Sequence, residues 1–359
     1  MDQLIHVLYG IPILGLVFQL VGYIITIIPP IAPLIMRAGT PLALGALCGV
    51  MCERSGVVNI AIEGTMLASA FTGWVVGVAL GPILGETSSL PFGITPTLLI
   101  ALAAALLVAL LISIVHAWLS ITVKADQIIS GTIINIAAVG VTGYLNTILA
   151  PFSPTSGGSF SAFVAPRAIT DFPVVGWIVA MFLNQGPIAM SVIVLAVVLQ
   201  ILLFRSRWGL RTRAVGEHPR AVETAGVDVI RLRYRNVMAG GMLAGLAGAF
   251  LSMEATNQFQ AGMSGGRGFI ALAAMIVGRW TPIGAFGAAI LFSTFAALGQ
   301  VIGFNPPDGS LGELVTKLPR QTWDALPYLV TIIILAGIIG RSTPPAADGQ
   351  PYEREQTSA

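Results

Sequence analysis

The stretch TLLIALAAALLVALLISIVHAWLSIT, residues 97–122, decides the fold class. It carries no charge, and it exceeds the roughly 20 apolar residues that a helix needs to cross a bilayer. Working outward, charge-free runs recur at Gln3–Met36, Gly64–Gly85, Thr87–Val123, Gln127–Pro166, Phe172–Phe204 and Trp280–Pro307. Across 359 residues, 55% are hydrophobic and only 9% are charged, against about a quarter charged in soluble domains. A soluble globule of this size lacks the polar residues to cover itself, and a disordered chain cannot be this apolar. What is left is an all-α polytopic integral membrane protein.

Reading turns at the Pro/Gly/Ser clusters gives about ten transmembrane helices, near 4–28, 39–52, 60–80, 97–122, 127–150, 187–204, 236–253, 268–279, 283–303 and 325–340. The first residues lack the basic stretch and cleavage site of a signal peptide, so they belong to the first span. Eight arginines fall between Arg205 and Arg235. Placing that loop in the cytoplasm puts both termini inside and splits the basic residues 13 inside to 5 outside, as the positive-inside rule requires. Residues 1–341 then form one transmembrane domain with a cytoplasmic loop at 205–235. The stretch 151–186 reads as an external loop with a short interfacial helix around Trp177. Residues 342–359, polar and carrying Pro344 and Pro345, read as a disordered cytoplasmic tail.

Small residues four apart, such as Gly45/Gly49, Gly241/Gly245 and Gly299/Gly303, suit close helix packing in lipid. A weak internal echo links the run ending at Glu53-Arg54 to the run ending at Gly278-Arg279. Short, glycine-interrupted segments at matching places in two halves point to a transport path, although apolar runs also resemble one another by composition alone.

Enzymatic chemistry has no foothold. His6, His116 and His218 are too scattered for a ligand set, and no metal, nucleophile or phosphate-loop motif is present. Cys48 and Cys52 stand one helical turn apart without partners and read as small apolar filler. No catalytic residue, metal or cofactor is expected, and a net charge of +2 gives no sign of nucleic-acid binding. Ionisable groups in the spans are rare. Glu63 lies about one turn into the third span, where a carboxylate is costly and must find a partner. Arg54, Asn59 or a helix N-terminus could supply it. Glu63 therefore either lines a path or braces the bundle. Asn59, Asn135, Asn257 and Arg267 are the other candidates for a substrate path. So few deep charges weaken an ion-coupled carrier. They also favour a neutral ligand, since a buried charged ligand would go unpaired at a cost of several kcal/mol.

Within the arginine-rich loop, Gly216-Glu217-His218-Pro219-Arg220-Ala221-Val222-Glu223-Thr224-Ala225-Gly226 places Pro at a helix start and Gly just past its end. A helix of about two turns fits between them. It either takes a push from a cytoplasmic motor or lies on anionic lipid through its arginines.

These segments resemble the permease subunits of bacterial ABC importers, in the branched-chain amino acid, ribose and nucleoside permease group. Cys52-Glu53-Arg54-Ser55-Gly56-Val57-Val58-Asn59-Ile60-Ala61-Ile62-Glu63-Gly64 is similar to that group's signature, with Ala61 where glycine is usual. Gly216–Gly226 is similar to its coupling segment, and Gly266-Arg267-Gly268-Phe269-Ile270-Ala271-Leu272-Ala273 through Gly278-Arg279-Trp280-Thr281-Pro282-Ile283-Gly284 to a third block. The nucleoside-type branch is the nearest, with simple sugars beside it and branched-chain amino acids as the alternative. The resemblance implies a multi-pass protein of the bacterial plasma membrane. Its partners would be a second permease chain, a cytoplasmic ATPase dimer docked on residues 216–226, and an extracytoplasmic binding protein or lipoprotein.

Overall fold

In the computed structural model, residues 12–85, 90–149, 158–170, 172, 175–307, 309–334, 336 and 342–353 are described. Helix is the regular structure throughout. In chain order the α-helices of five residues or more among the described residues are α1 (Pro12–Glu53), α2 (Ile62–Leu84), α3 (Pro96–Ala117), α4 (Gln127–Leu149), α5 (Gly176–Leu183), α6 (Pro187–Arg205), α7 (Arg207–Glu217), α8 (Pro219–Thr224), α9 (Val229–Phe250), α10 (Arg267–Val277), α11 (Pro282–Phe304), α12 (Ser310–Lys317), α13 (Arg320–Asp324) and α14 (Leu326–Ile333). π-helical turns extend α3 through Thr122 and α9 through Ala255.

Seven helices among the described residues are long and apolar enough to cross a membrane. They differ from the expected ten in three places. The expected turn after residue 28 is absent: α1 runs unbroken through Pro29, Pro30, Pro33 and Pro41, because helices in lipid tolerate proline where local adjustments re-satisfy the freed groups. The expected span 268–279 is α10, whose 11 residues reach only about 16 Å at 1.5 Å per residue, half a bilayer core. The expected span 325–340 begins as α14, and most of residues 335–341 lie outside the described set.

The chain divides into two compact units. One comprises residues 1–39, 164–185 and 290–338. In it the Tyr23 hydroxyl donates to the Asn305 carbonyl (2.7 Å) and the Leu311 N–H to Gln19 Oε1 (3.1 Å). The expected short helix near Trp177 is α5; residues 151–157 of the expected loop lie outside the described ones.

The other unit comprises residues 40–163, 186–289 and 339–359 and holds the candidate site. Its core is α2, α3 and α9. Buried Ala101, Ala105, Ala109 and Ser113 make a small-residue stripe on α3. Gly241 and Gly245 of α9 lie directly against Ser113 and Ala109, and Gly248 lies against the Met66 carbonyl of α2. Without side chains between them the helices approach to backbone contact, which is how packing in lipid gains its dispersion energy. The expected Gly241/Gly245 pairing is thus a real helix interface. Part of the stretch expected to be a polar tail makes specific contacts. Residues 342–353 hydrogen-bond to this unit through backbone groups and side chains.

Candidate functional site

The signature segment is a tight turn between α1 and α2, held from all sides by hydrogen bonds. Gly56 adopts φ +83°, a conformation that disfavours any residue with a Cβ. Asn59 Oδ1 accepts from the Ala61 N–H (3.0 Å), and Asn59 Nδ2 faces the sulfurs of Cys52 (3.5 Å) and Cys48 (3.7 Å). The cysteines are buried and unbridged.

Helix α4 closes over the turn. Asn135 Oδ1 accepts from the Gly64 N–H (2.7 Å) and its Nδ2 donates to the Ile60 carbonyl (2.9 Å). Gln127 Oε1 accepts from the Val58 N–H (2.7 Å). His116, buried on α3, reaches the Val58 carbonyl through Nε2 (3.0 Å) and Ser130 Oγ through Nδ1 (3.1 Å). A carbonyl can only accept, so Nε2 carries the proton. His116 is a tie between helices; its place among scattered histidines hid this in the sequence.

Glu63 lies buried at the first turn of α2. Its Oε1 accepts from the Gly266 N–H (2.7 Å) and its Oε2 from the Gly268 N–H (2.6 Å). Those groups open α10, so the carboxylate caps a helix start and meets its partial positive charge. Of the three partners the sequence offered, the helix N-terminus is the one present. Arg267, between the two glycines, donates through Nη1 to the Met263 carbonyl (2.7 Å). Asn59, Glu63, Asn135 and Arg267 thus gather around the starts of α2 and α10. Asn257 is elsewhere, exposed at φ +59° in the turn after the α9 extension.

A second buried carboxylate repeats this device. Glu254 accepts from the Ile188 N–H (Oε2, 2.8 Å) and the Ala189 N–H (Oε1, 3.1 Å) at the start of α6. Pro187 has no N–H to offer, so these are the first free donors of that helix. The expected span 236–253 stops just short of Glu254; the helix instead continues as a π-helical turn around it.

The two echoed segments meet at their ends. Arg54 Nε donates to the Trp280 carbonyl (2.8 Å) and Nη2 to the Arg279 carbonyl (3.2 Å), while Trp280 Nε1 donates to Glu53 Oε2 (2.6 Å). Arg279 and Trp280 adopt φ +53° and +51°, which aims both carbonyls at the guanidinium. Burial lowers the Arg54 pKa and the nearby Glu217 carboxylate opposes that shift.

Beyond Arg54 lies the loop of arginines. The α7 helix ends at Glu217, Pro219 opens α8 and Gly226 closes it at φ +80°, the boundaries expected from the sequence. One face of α8 is buried through Val222, clustered with Val215, Val229, Leu232 and Tyr352. The other face, Arg220, Ala221, Thr224 and Ala225, is exposed. Asp228 Oδ1 then caps α9 by accepting from the Arg231 N–H (2.9 Å). Among the described residues no cluster of His, Cys, Asp or Glu could hold a metal.

Residues 32–335 match the profile of the family described as branched-chain amino acid transport system / permease component. The guanosine ABC transporter permease protein NupQ of Bacillus subtilis is 37% identical over 331 residues, 92% of this chain and 98% of that protein. The nucleoside ABC transporter permease protein NupC of Lactococcus lactis is 32% identical over 314 residues, covering 87% of this chain and 93% of that one. TsgC13 of Haloferax volcanii, a permease protein provisionally assigned to glucose, is 33% identical over 89% of this chain and 96% of its own. No solved structure matches the chain.

Proposed function

The chain belongs to the branched-chain amino acid transport system / permease component family, and on that premise we propose that it is the membrane-spanning permease subunit of an ABC importer for nucleosides or simple sugars. The observation that carries this reading is the likeness over nearly the whole chain to nucleoside permeases. The branched-chain amino acid alternative is not favoured. The chain is a transport component and a multi-pass protein of the plasma membrane. In this reading ATP hydrolysis resides in partner subunits, a second permease chain completes the pore, and a binding protein delivers the substrate.

The geometry supports the division of labour. Glu63 and Glu254, deeply buried carboxylates, each place both oxygens on backbone N–H groups of a neighbouring helix start. Both are engaged as caps on helix starts, a bracing arrangement that suits a permease driven by a separate ATPase. Residues Gly216–Gly226 take the coupling role: α8 is a short capped helix with one anchored face and one small, open face around Ala221 and Ala225. Asn59, Glu63, Asn135 and Arg267 act on the path by fixing the helix starts around it.

The test is a double substitution, Ala221→Arg with Ala225→Arg. Both positions are exposed, so the permease should still insert and purify. ATP-driven uptake and substrate-stimulated ATP hydrolysis should both disappear. A variant with full uptake overturns the coupling assignment.

A further inference from the structure

Helix α8 has six residues, far short of the roughly 12–15 that a helix needs to persist alone in water. Something outside it must hold it, and the C-terminal segment supplies much of that hold. The Ala347 N–H donates to the Gly216 carbonyl (2.8 Å), fixing the last turn of α7 just ahead of α8. The Ala346 N–H donates to Glu217 Oε2 (3.2 Å). Tyr352, 6% exposed, inserts its ring into the cluster that receives Val222, and its hydroxyl donates to the Glu223 carboxylate.

The segment is fixed on its other side as well. Arg233, 1% exposed, donates through Nη1 to the Gln350 carbonyl (3.1 Å), and its guanidinium lies 5.9 Å from the centre of the Tyr352 ring. Ser342 Oγ donates to the Ile276 carbonyl (3.0 Å) at the end of α10. A Cβ on Gly56 would stand 3.0 Å from the Ala347 carbonyl oxygen, and one on Gly349 3.4 Å from Val58 Cγ2. The tail therefore touches the signature turn and the coupling segment at once. A groove of about 820 Å³ has Pro219, Arg220 and Ala221 on one wall and Ala347, Gln350 and Tyr352 on the other. The whole segment lies beyond the residues matched by the family profile, which end at 335.

We propose that residues 343–353 are a strap that sets the position of α8, making the C-terminal segment a positioning element of ATP coupling and one wall of the ATPase docking surface. The proposal rests on the coupling role assigned to α8. Tyr352 is its principal positioning residue, acting through Val222 and Glu223 and not by touching substrate.

The experiment uses the full permease in nanodiscs, titrated with its ATPase subunit, in the parent, in a chain ending at Ser342, and in Tyr352→Ala and Tyr352→Phe. Amide hydrogen exchange is followed in parallel. The truncation and Tyr352→Ala should weaken ATPase binding at least tenfold and raise exchange in residues 216–226, with residues 62–83 and 96–122 as protected as in the parent. Tyr352→Phe, which keeps the ring, should stay within about threefold. Unchanged ATPase affinity with unchanged exchange at 216–226 overturns the strap, as does a rise in exchange spread equally over the spans. Should the truncated chain insert poorly, Tyr352→Ala decides by the same two readings. Ala221→Arg with Ala225→Arg separates the layers. If it abolishes ATPase binding and the tail variants do not, the strap fails and the coupling role stands. If it binds normally, the coupling role fails and takes the strap's function with it.

Discussion

Replacing Glu63 with glutamine separates a brace from a transport group. The carboxylate accepts from Gly266 N–H at 2.7 Å and Gly268 N–H at 2.6 Å, 8% exposed, at the start of α10. A hydrogen bond to a charged group is worth about 1.5–3 kcal/mol, and the partial charge of a helix start adds up to about 2 kcal/mol in a partly buried geometry. Glutamine keeps one acceptor and turns its –NH₂ toward the other N–H. One bond is lost, the other weakens to roughly 1 kcal/mol, and the dipole attraction goes. Relief from burying a charge offsets part of this, leaving a net loss of about 3 kcal/mol. Thermal unfolding of the purified permease in nanodiscs, followed by tryptophan fluorescence, should shift down by roughly 4 °C. Gly268→Ala attacks the same contact from the other side, since its Cβ would fall 2.6 Å from the Glu63 nitrogen. The double variant should therefore cost less than the sum of the singles. If Glu63→Gln melts with the parent while uptake collapses, Glu63 serves the path and the bracing argument is wrong.

Two further outcomes follow from the same unit. Gly248→Ala places a methyl against the Met66 carbonyl, a backbone atom that cannot turn aside; overpacking usually costs about 1–3 kcal/mol, and this substitution should sit at or above that range, read as a lower melting temperature than Gly287→Ala, where the Cβ meets open space. Asp348 faces Glu53 and Arg233, and burial pushes its carboxyl from 3.8 up to about 6. A raised carboxyl favours the docked tail fully below pH 3.8 and loses that benefit as pH rises through 6, an effect worth at most roughly 3 kcal/mol. Exchange protection of residues 343–353 should be greater at pH 5 than at pH 7.5, and Asp348→Asn should flatten the difference; equal protection at both values in the parent would speak against the buried carboxyl.

What the sequence disclosed, and what it hid, follows from how local each signal is. The α8 boundaries were legible because Pro219 and Gly226 act through their own backbone angles, which need no tertiary partner to read. Gly241 and Gly245 were legible for a similar reason: a small-residue spacing reports a close helix contact wherever the partner lies. Glu63 announced itself as a carboxylate too costly to leave unpaired, yet its partner lies 203 and 205 residues away, and only the fold chooses among helix starts. Glu254 hid behind the same logic, because a charge ending an apolar run reads as a boundary. The unbroken α1 was missed because Pro29-Pro30 is a turn signal in water and a tolerated feature in lipid. The contacts of residues 342–353 were not legible because they run through backbone carbonyls, one ring and one buried arginine, none of which leaves a periodic pattern.

In the proposed function, ATP hydrolysed by a partner drives a neutral nucleoside or sugar through this chain. The most direct measurement is uptake of a labelled nucleoside into proteoliposomes carrying the permease, its ATPase and its binding protein, with and without ATP and with and without an uncoupler. Uptake should require ATP, persist with the uncoupler present, and be competed by unlabelled nucleosides or ribose but not by leucine. Uptake that continues without ATP and collapses with the uncoupler would instead make this chain an ion-coupled carrier.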